Sequence, residues 1–332
     1  MAIMQLAIAR ADVALNPAVF HGMPVASEFA LNRLIHVPTD LCLRNPVLSG
    51  DRATAQQDVI EFENMVIRPP AVAGQFYPGN PDCLQKQVSD LLASITTPIK
   101  GIPKALIAPH AGYLYSGVVA AAAFATLRNS VQTAITRVVL IGPAHYARVC
   151  GIAAPTVDAF ETPLGRVPVD AEALSGIADL PFVIRADAPH SPEHALEVEL
   201  PFLQTLLSSF QVMPLLVGDV TPQEIAQVLR RLWGGPETLI VVSSDLSHYH
   251  DYETARRMDA ATAAAIERGD WASLGPNQAC GCQAVAGLLV EAGRHGLKAR
   301  RLSLCNSGDT EGSRDRVVGY GAWLFTQSAP QS

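Results

Sequence analysis

The chain has little charge, few aromatic residues and little cysteine. Charged residues make up 17% and aromatic residues 6% of 332 positions, where an average soluble domain carries roughly 25% charged residues. Lys and Arg number 24 against 31 Asp and Glu, a formal net charge of -7. That balance supplies no basic stripe to displace counterions from phosphates, which argues against nucleic-acid binding. The 49% hydrophobic content excludes a disordered chain, which needs low hydrophobicity and high net charge. No stretch approaches the roughly 18 unbroken apolar residues of a membrane-spanning helix. The longest run, Val118 to Leu127, is Ala-rich and reads as a core helix.

Six cysteines, at 42, 83, 150, 280, 282 and 305, are too sparse for a disulfide framework, and none forms a CxxC pair. A reducing cytosol is the reading, with most thiols acting as small core residues. The apolar stretch Ile3 to Ala9 has no basic residue before it, and Arg10 and Asp12 follow at once. It is no signal peptide, and a cytoplasmic protein is expected. Also missing are a GxSxG elbow, a GxxxxGK[ST] loop and a GxGxxG after a first strand, so serine hydrolysis and nucleotide chemistry have no support.

Order begins late in the chain. Over residues 1–64 neither a period of 2 nor one of 3.6 persists. That segment is expected to be a leader, disordered or not translated, with Met65 as the initiator; a loosely attached genuine extension is the alternative. From Met65 the punctuation becomes regular. Asn80-Pro81 gives an N-cap and a first-turn proline, and Leu84, Val88, Leu91 and Leu92 follow at helical spacing. The folded domain is expected over 65–327, with 328–332 a short tail.

Four apolar runs then end in polar residues: Lys104 to His110, Arg137 to His145, Met213 to Asp219 and Leu239 to His248. Their length and β-branched content suit strands buried on both faces. Helical patterns alternate with them over Gly117–Leu127, Ala195–Ser208, Pro222–Trp233 and Tyr252–Arg268. This predicts an α/β fold, a single domain whose central sheet is largely parallel or mixed and flanked by helices. In such sheets ligands bind beyond the carboxyl ends of the strands. Three strands deliver a histidine there (His110, His145 and His248), which points to a shared site.

Cys280 lies in a loop before Gly281 and an apolar helix that Cys282 begins. A metal would hold Cys280 as thiolate and His110 and His145 as neutral imidazoles; burial of both thiols in the core is the alternative. His190-Ser-Pro-Glu193-His194 formally matches the HxxEH zinc-protease signature. With Ser191 as N-cap and Pro192 as first helical residue, His190 falls outside the helix and the signature fails. His194 can still face the site from the first turn, or form a capping and hydrogen-bonding pair with Glu197.

Seven motifs, Pro70-Ala-Val-Ala-Gly-Gln-Phe-Tyr-Pro78, Ala108-Pro-His-Ala-Gly-Tyr113, Gly142-Pro-Ala-His145, Glu161-Thr-Pro-Leu-Gly165, Glu193-His-Ala-Leu-Glu197, Ser243-Ser-Asp-Leu-Ser-His248 and Val318-Gly-Tyr320, resemble the Memo family in the same order. The resemblance spans about Arg68 to Phe325. It implies a fold similar to the class III extradiol dioxygenases of the protocatechuate 4,5-dioxygenase type, with a pocket for Fe(2+) or Cu. It further implies His110, His145 and Cys280 as metal ligands, with Asp245 and His248 as the remaining polar pair. Cys282 stands where relatives can carry Arg, and a thiolate replaces the carboxylate of the dioxygenases. The resemblance also implies a radical-SAM system as a source of partner proteins. The resulting expectation is a mononuclear redox-metal protein, dioxygenase-like, acting on an unknown small molecule or peptide. His248 is its acid or base, and Asp245 fixes the tautomer of His248. The alternatives are a peptide- or partner-binding module without turnover, and a zinc hydrolase.

Overall fold

Four strands rich in Val, Ile and Leu lie side by side at the centre of the protein, which is described here from a computed structural model. The structure describes residues 65–96, 103–128 and 135–327. The expected leader, 1–64, and tail, 328–332, lie outside the described residues. The strands are β1 (Ile67–Arg68), β2 (Ala105–Ala108), β3 (Arg137–Pro143), β4 (Ile152–Ala154), β5 (Ala159–Thr162) and β6 (Gly165–Pro168). They continue with β7 (Val183–Arg185), β8 (Gln211–Val217), β9 (Thr238–Ser243), β10 (His248–His250), β11 (Leu297–Asn306) and β12 (Val317–Gln327). The helices are α1 (Pro81–Ser94), α2 (Tyr113–Phe124), α3 (Ala171–Ser175), α4 (Leu200–Leu206), α5 (Pro222–Arg231), α6 (Tyr252–Arg268) and α7 (Cys282–Arg294).

The main sheet has nine strands in the order β10-β12-β2-β9-β3-β8-β4-β7, with β11 on β12. Its centre, β2-β9-β3-β8, is parallel. The antiparallel pairs β12 with β2 and β4 with β8 flank it. The fold is therefore α/β with a mixed sheet around a parallel core. Parallel strands need both faces covered, and every residue of β2 and β9 is buried. A separate small sheet, β1-β5-β6, pairs the start of the described chain with a hairpin.

Local signals set the helix ends. Asn80 accepts the N–H of Cys83 at 3.0 Å and Pro81 opens α1, which buries Leu84, Val88 and Leu92. Thr221 and Glu224 form a reciprocal capping box on α5. The helix expected over Tyr252–Arg268 has those bounds, closed by Gly269 at φ 71. The one expected over Ala195–Ser208 is shorter: a single 3₁₀ turn, Glu197–Glu199, leads into α4. Ser191 and Pro192 start no helix. The Glu193 carboxylate instead accepts the N–H groups of His194 and Ala195, both at 3.0 Å. A side chain thus takes donors that a helix would orient elsewhere.

The cysteines depart from expectation. Of the five described, all free, only Cys282 is buried; Cys280 and Cys305 are half-buried, while Cys83 and Cys150 are exposed. Among the described residues no helix is long and apolar enough to cross a membrane.

Candidate metal centre

Because β2, β9 and β3 are adjacent and parallel, their carboxyl ends open on one edge. His110 lies two residues beyond β2 and His145 two beyond β3, while Ser243 closes β9 and leads to Asp245 and His248. His194 reaches the same edge from the loop between β7 and α4. One ligand-capable atom from each of His110, His145 and His194 lies within 4.8 Å of the others. The His145 and His194 rings stack at 4.8 Å and 13°, and His110 stands edge-on to both at 5.1 and 5.5 Å. The Cys280 sulfur is 3.3 Å from Nε2 of His110 and accepts the Asp245 N–H at 3.3 Å. Gly281 permits this approach: a Cβ there would lie 2.7 Å from Cβ of Ser244.

Two of the three rings are oriented from behind. His145 directs Nδ1 at the Glu193 carboxylate, 2.9 Å away, which also accepts the His145 backbone N–H at 2.5 Å. A carboxylate only accepts, so His145 carries a proton on Nδ1 and turns Nε2 toward the cluster. His110 places Nδ1 2.7 Å from the Ser243 hydroxyl. His194 has no such partner: its Nδ1 is buried, 3.4 Å from Glu193 Oε1 but without hydrogen-bond geometry.

Burial controls the protonation of this cluster. It holds the pKa of His110 well below the ordinary imidazole value, and the neighbouring His145 adds to the effect. Burial, with His110 beside it, lowers His194 to about 4. Glu193 is opposed by burial, yet the hydrogen bonds from His145 and from backbone N–H groups bring it down to about 2. Cys280 is pushed up by burial and then by the nearby Asp245 carboxylate.

The loop bearing Glu193 and His194 hangs on a buried carboxylate. Glu197, 0% exposed, accepts from Arg68, from the Tyr77 hydroxyl, and from the N–H groups of Ala71 at 2.7 Å and Val72 at 3.0 Å. Arg68 also donates to the carbonyls of Glu193 (2.5 Å) and His190 (3.0 Å). The motif Pro70–Pro78 and the motif Glu193–Glu197 are thus one physical unit, a strap wrapped around an acid. Glu197 therefore pairs with the strap, not with His194. His190 points away from the cluster, its Nε2 on the Ala153 carbonyl at 3.1 Å.

The other side of the site is seated on β12. Leu246 donates to the Gly319 carbonyl and Gly319 donates to that of Ser247, each at 2.8 Å. Asp259 of α6, buried, accepts the Ser247 N–H at 3.0 Å. A Cβ on Gly319 would lie 2.0 Å from Oδ2 of Asp259, so only glycine fits. The expected Asp245–His248 pairing does not form as a hydrogen bond. Nδ1 of His248 lies 2.8 Å from the Leu246 carbonyl, and Asp245 accepts the His110 N–H at 2.9 Å. The carbonyl is nearer in the turn and, being acceptor-only, sets the tautomer itself. Tyr249, next along, sits at φ 62, 63% exposed, with the Arg316 guanidinium 5.2 Å from its ring centre.

Sequence reasoning brought His110, His145, Cys280, Asp245 and His248 to this edge, and the structure places them there. It left His194 between two readings and missed Glu193, Ser243 and Arg68. The ordered motifs contain Glu193 and Ser243, which was the available signal.

A family model described as Memo-like protein matches residues 68–324. A MEMO1 family protein of Aquifex aeolicus is 36% identical over 273 residues, covering 79% of this chain and 100% of that one. One of Aeropyrum pernix is 37% identical over 286 residues, covering 78% and 99%. One of Nitrosopumilus maritimus is 32% identical over 277 residues, covering 78% and 100%.

Proposed function

The chain belongs to the Memo family, whose fold is that of the class III extradiol dioxygenases, and on that premise we propose that it is a mononuclear redox-metal protein. The observation that carries this reading is the convergence of His110, His145 and His194 within 4.8 Å. The donor chemistry fits. Three imidazoles, one with an unpartnered buried nitrogen, and a thiol beside His110 suit Fe(2+), Cu or Zn, not the oxygen-seeking Mg or Ca. His110 and His145 would offer Nε2, with His194 and Cys280 as the further donors; a cation would also draw Cys280 to its thiolate despite burial.

A bound Fe(2+) or Cu would supply the dioxygen chemistry that no side chain here provides. The chain's own residues bind and orient. Glu193 holds His145 and fixes the nitrogen it presents to the cluster. His248, its Nδ1 committed to Leu246, has Nε2 free to take a proton from a phenol-like substrate. A reducing cytosol suits the five free thiols among the described residues.

The test is the metal content of protein isolated without oxygen or added chelator. One Fe or Cu per chain is expected, and His145→Ala should lose it with its circular dichroism unchanged. Zinc alone would favour a hydrolase instead, since two His and one Cys with water is a catalytic zinc set. Exposed Tyr146 and Tyr249 beside His145 and His248 favour a second reading, a partner-binding module. A module should keep its ligand affinity in chelator, whereas the metal protein should not.

A further inference from the structure

Glu199 is a buried acid that the proposed centre does not use. It is 0% exposed, Oε1 lies 2.9 Å from the Ser243 hydroxyl, and Oε2 has no hydrogen-bond partner among the described residues. The same hydroxyl is 2.6 Å from the Ala195 carbonyl and 2.7 Å from Nδ1 of His110. Three polar atoms therefore crowd one oxygen that owns a single proton.

Donor counting resolves the arrangement. The Ala195 carbonyl can only accept, so it takes the Ser243 proton. The other two neighbours must then both donate to the lone pairs of Ser243. His110 can do so only with its proton on Nδ1, and Glu199 only as a carboxylic acid. An ionised Glu199 would take the Ser243 proton and leave two oxygens facing each other at 2.6 Å without a hydrogen. It would also be a charge out of water with a single hydrogen bond, an expensive state.

We infer that Glu199 is a neutral carboxylic acid donating to Ser243, and that Ser243 so arranged is the positioning residue that fixes His110 with its lone pair on Nε2. Burial is the largest influence on Glu199 and favours the protonated acid, as does the nearby Asp245 carboxylate, whereas a hydrogen bond donated by Ser243 would act the other way. The two strand-end histidines consequently differ in kind: His145 is backed by an anion and His110 by a neutral hydroxyl–acid pair. His110 is the weaker donor of the two.

The metal arm of this inference rests on the proposed centre, whereas its spectroscopic arm does not. Infrared difference spectra of the metal-free parent against Glu199→Gln at pH 7 should show a protonated-carboxyl carbonyl band that the variant lacks. Nitrogen NMR of His110 should report the Nδ1–H tautomer in both, because the Gln amide donates to Ser243 as the acid does. In Ser243→Ala the tautomer should become mixed, and affinity for added Zn should fall about 10–100-fold, the usual cost of removing a partner behind a ligand. Glu199→Gln should bind Zn within about twofold of the parent, a rescue that a required anion would not allow. Absence of the carboxyl band, an Nε2–H tautomer in the parent, or a Gln variant as weak as Ser243→Ala would each overturn the inference. If the parent binds no metal, the proposed centre fails, and the infrared and NMR results still decide this point.

Discussion

The two sides of the site are held by different physics. The Glu193–His194 side hangs on a fully buried ionic web, in which Glu197 gathers Arg68, Tyr77 and two backbone N–H groups. The Asp245–His248 side rests on backbone pairs with β12 and one buried carboxyl, and ends in an exposed tyrosine held in the left-handed region. A web of charges out of water is costly to break, because each lost partner strands another. A turn seated on strand hydrogen bonds has smaller individual terms and can carry local strain. The contrast teaches that the first side should fail all at once and the second by degrees.

Breaking the web gives the largest expected effect. Glu197→Leu leaves the Arg68 guanidinium buried without its anion, which should cost about 3–5 kcal/mol in urea unfolding. The same change should abolish metal retention, since Glu193 and His194 lose their support. A loss under about 1 kcal/mol would mean that the strap holds without its acid.

The next effect is a pH slope on the same side. His190 is buried, with Nδ1 unpartnered, and burial lowers its pKa to about 4. The unfolded chain, with the ordinary value of about 6.5, binds that proton first. His190 alone should therefore account for a loss of about 3 kcal/mol as pH drops from 6.5 to 4, alongside the losses from His110 and His194, whose pKa values burial also lowers. Glu193, lowered to about 2, adds its own loss below pH 4.5. His190→Gln should remove that share of the slope, leaving the part due to His110 and His194, in denaturant titrations from pH 7 to 4. An unchanged slope would place the acid sensitivity elsewhere.

These regions also differ in how far the sequence revealed them. The runs ending in His110, His145 and His248 were readable because each element is local, a buried strand followed by its polar end. Donor types at those ends were readable for the same reason. The web was not, since Arg68 and Glu197 stand 129 positions apart and nothing in either segment alone names its partner. The Ser-Pro-Glu ahead of His194 reads as a helix start. In fact the Glu193 side chain bonds its own following N–H groups and keeps the loop open. The resemblance paired Asp245 with His248, but in the fold an Asp245 oxygen accepts the His110 backbone N–H.

Smaller changes sharpen the second side. Gly319→Ala forces a methyl onto Asp259 Oδ2 and should cost about 1–3 kcal/mol by overpacking. Metal content, supplied from the other side and the strand ends, should survive; joint loss of stability and metal would show the two sides to be coupled. Tyr249→Asn should raise stability by about 0.5–1 kcal/mol, because Asn tolerates positive φ better and the tyrosine ring is mostly exposed. A destabilised variant would mean that stacking with Arg316 outweighs the strain.

The order β2-β9-β3 has a geometric consequence of its own. Adjacent strands are spaced about 4.8 Å apart by their hydrogen-bond ladder, so the stems of His110 and His145 are one strand removed from each other. The strand between them ends in Ser243, followed by Ser244, residues too short to fill the gap, and the two imidazoles meet above that low saddle. The spacing of the strands that lead to His110 and His145 is thus a dimension of the ladder. Loops beyond the edge can lengthen, shorten or change composition without altering that span. The chemistry admitted from outside is then free to vary while the jaw beneath it keeps one gauge.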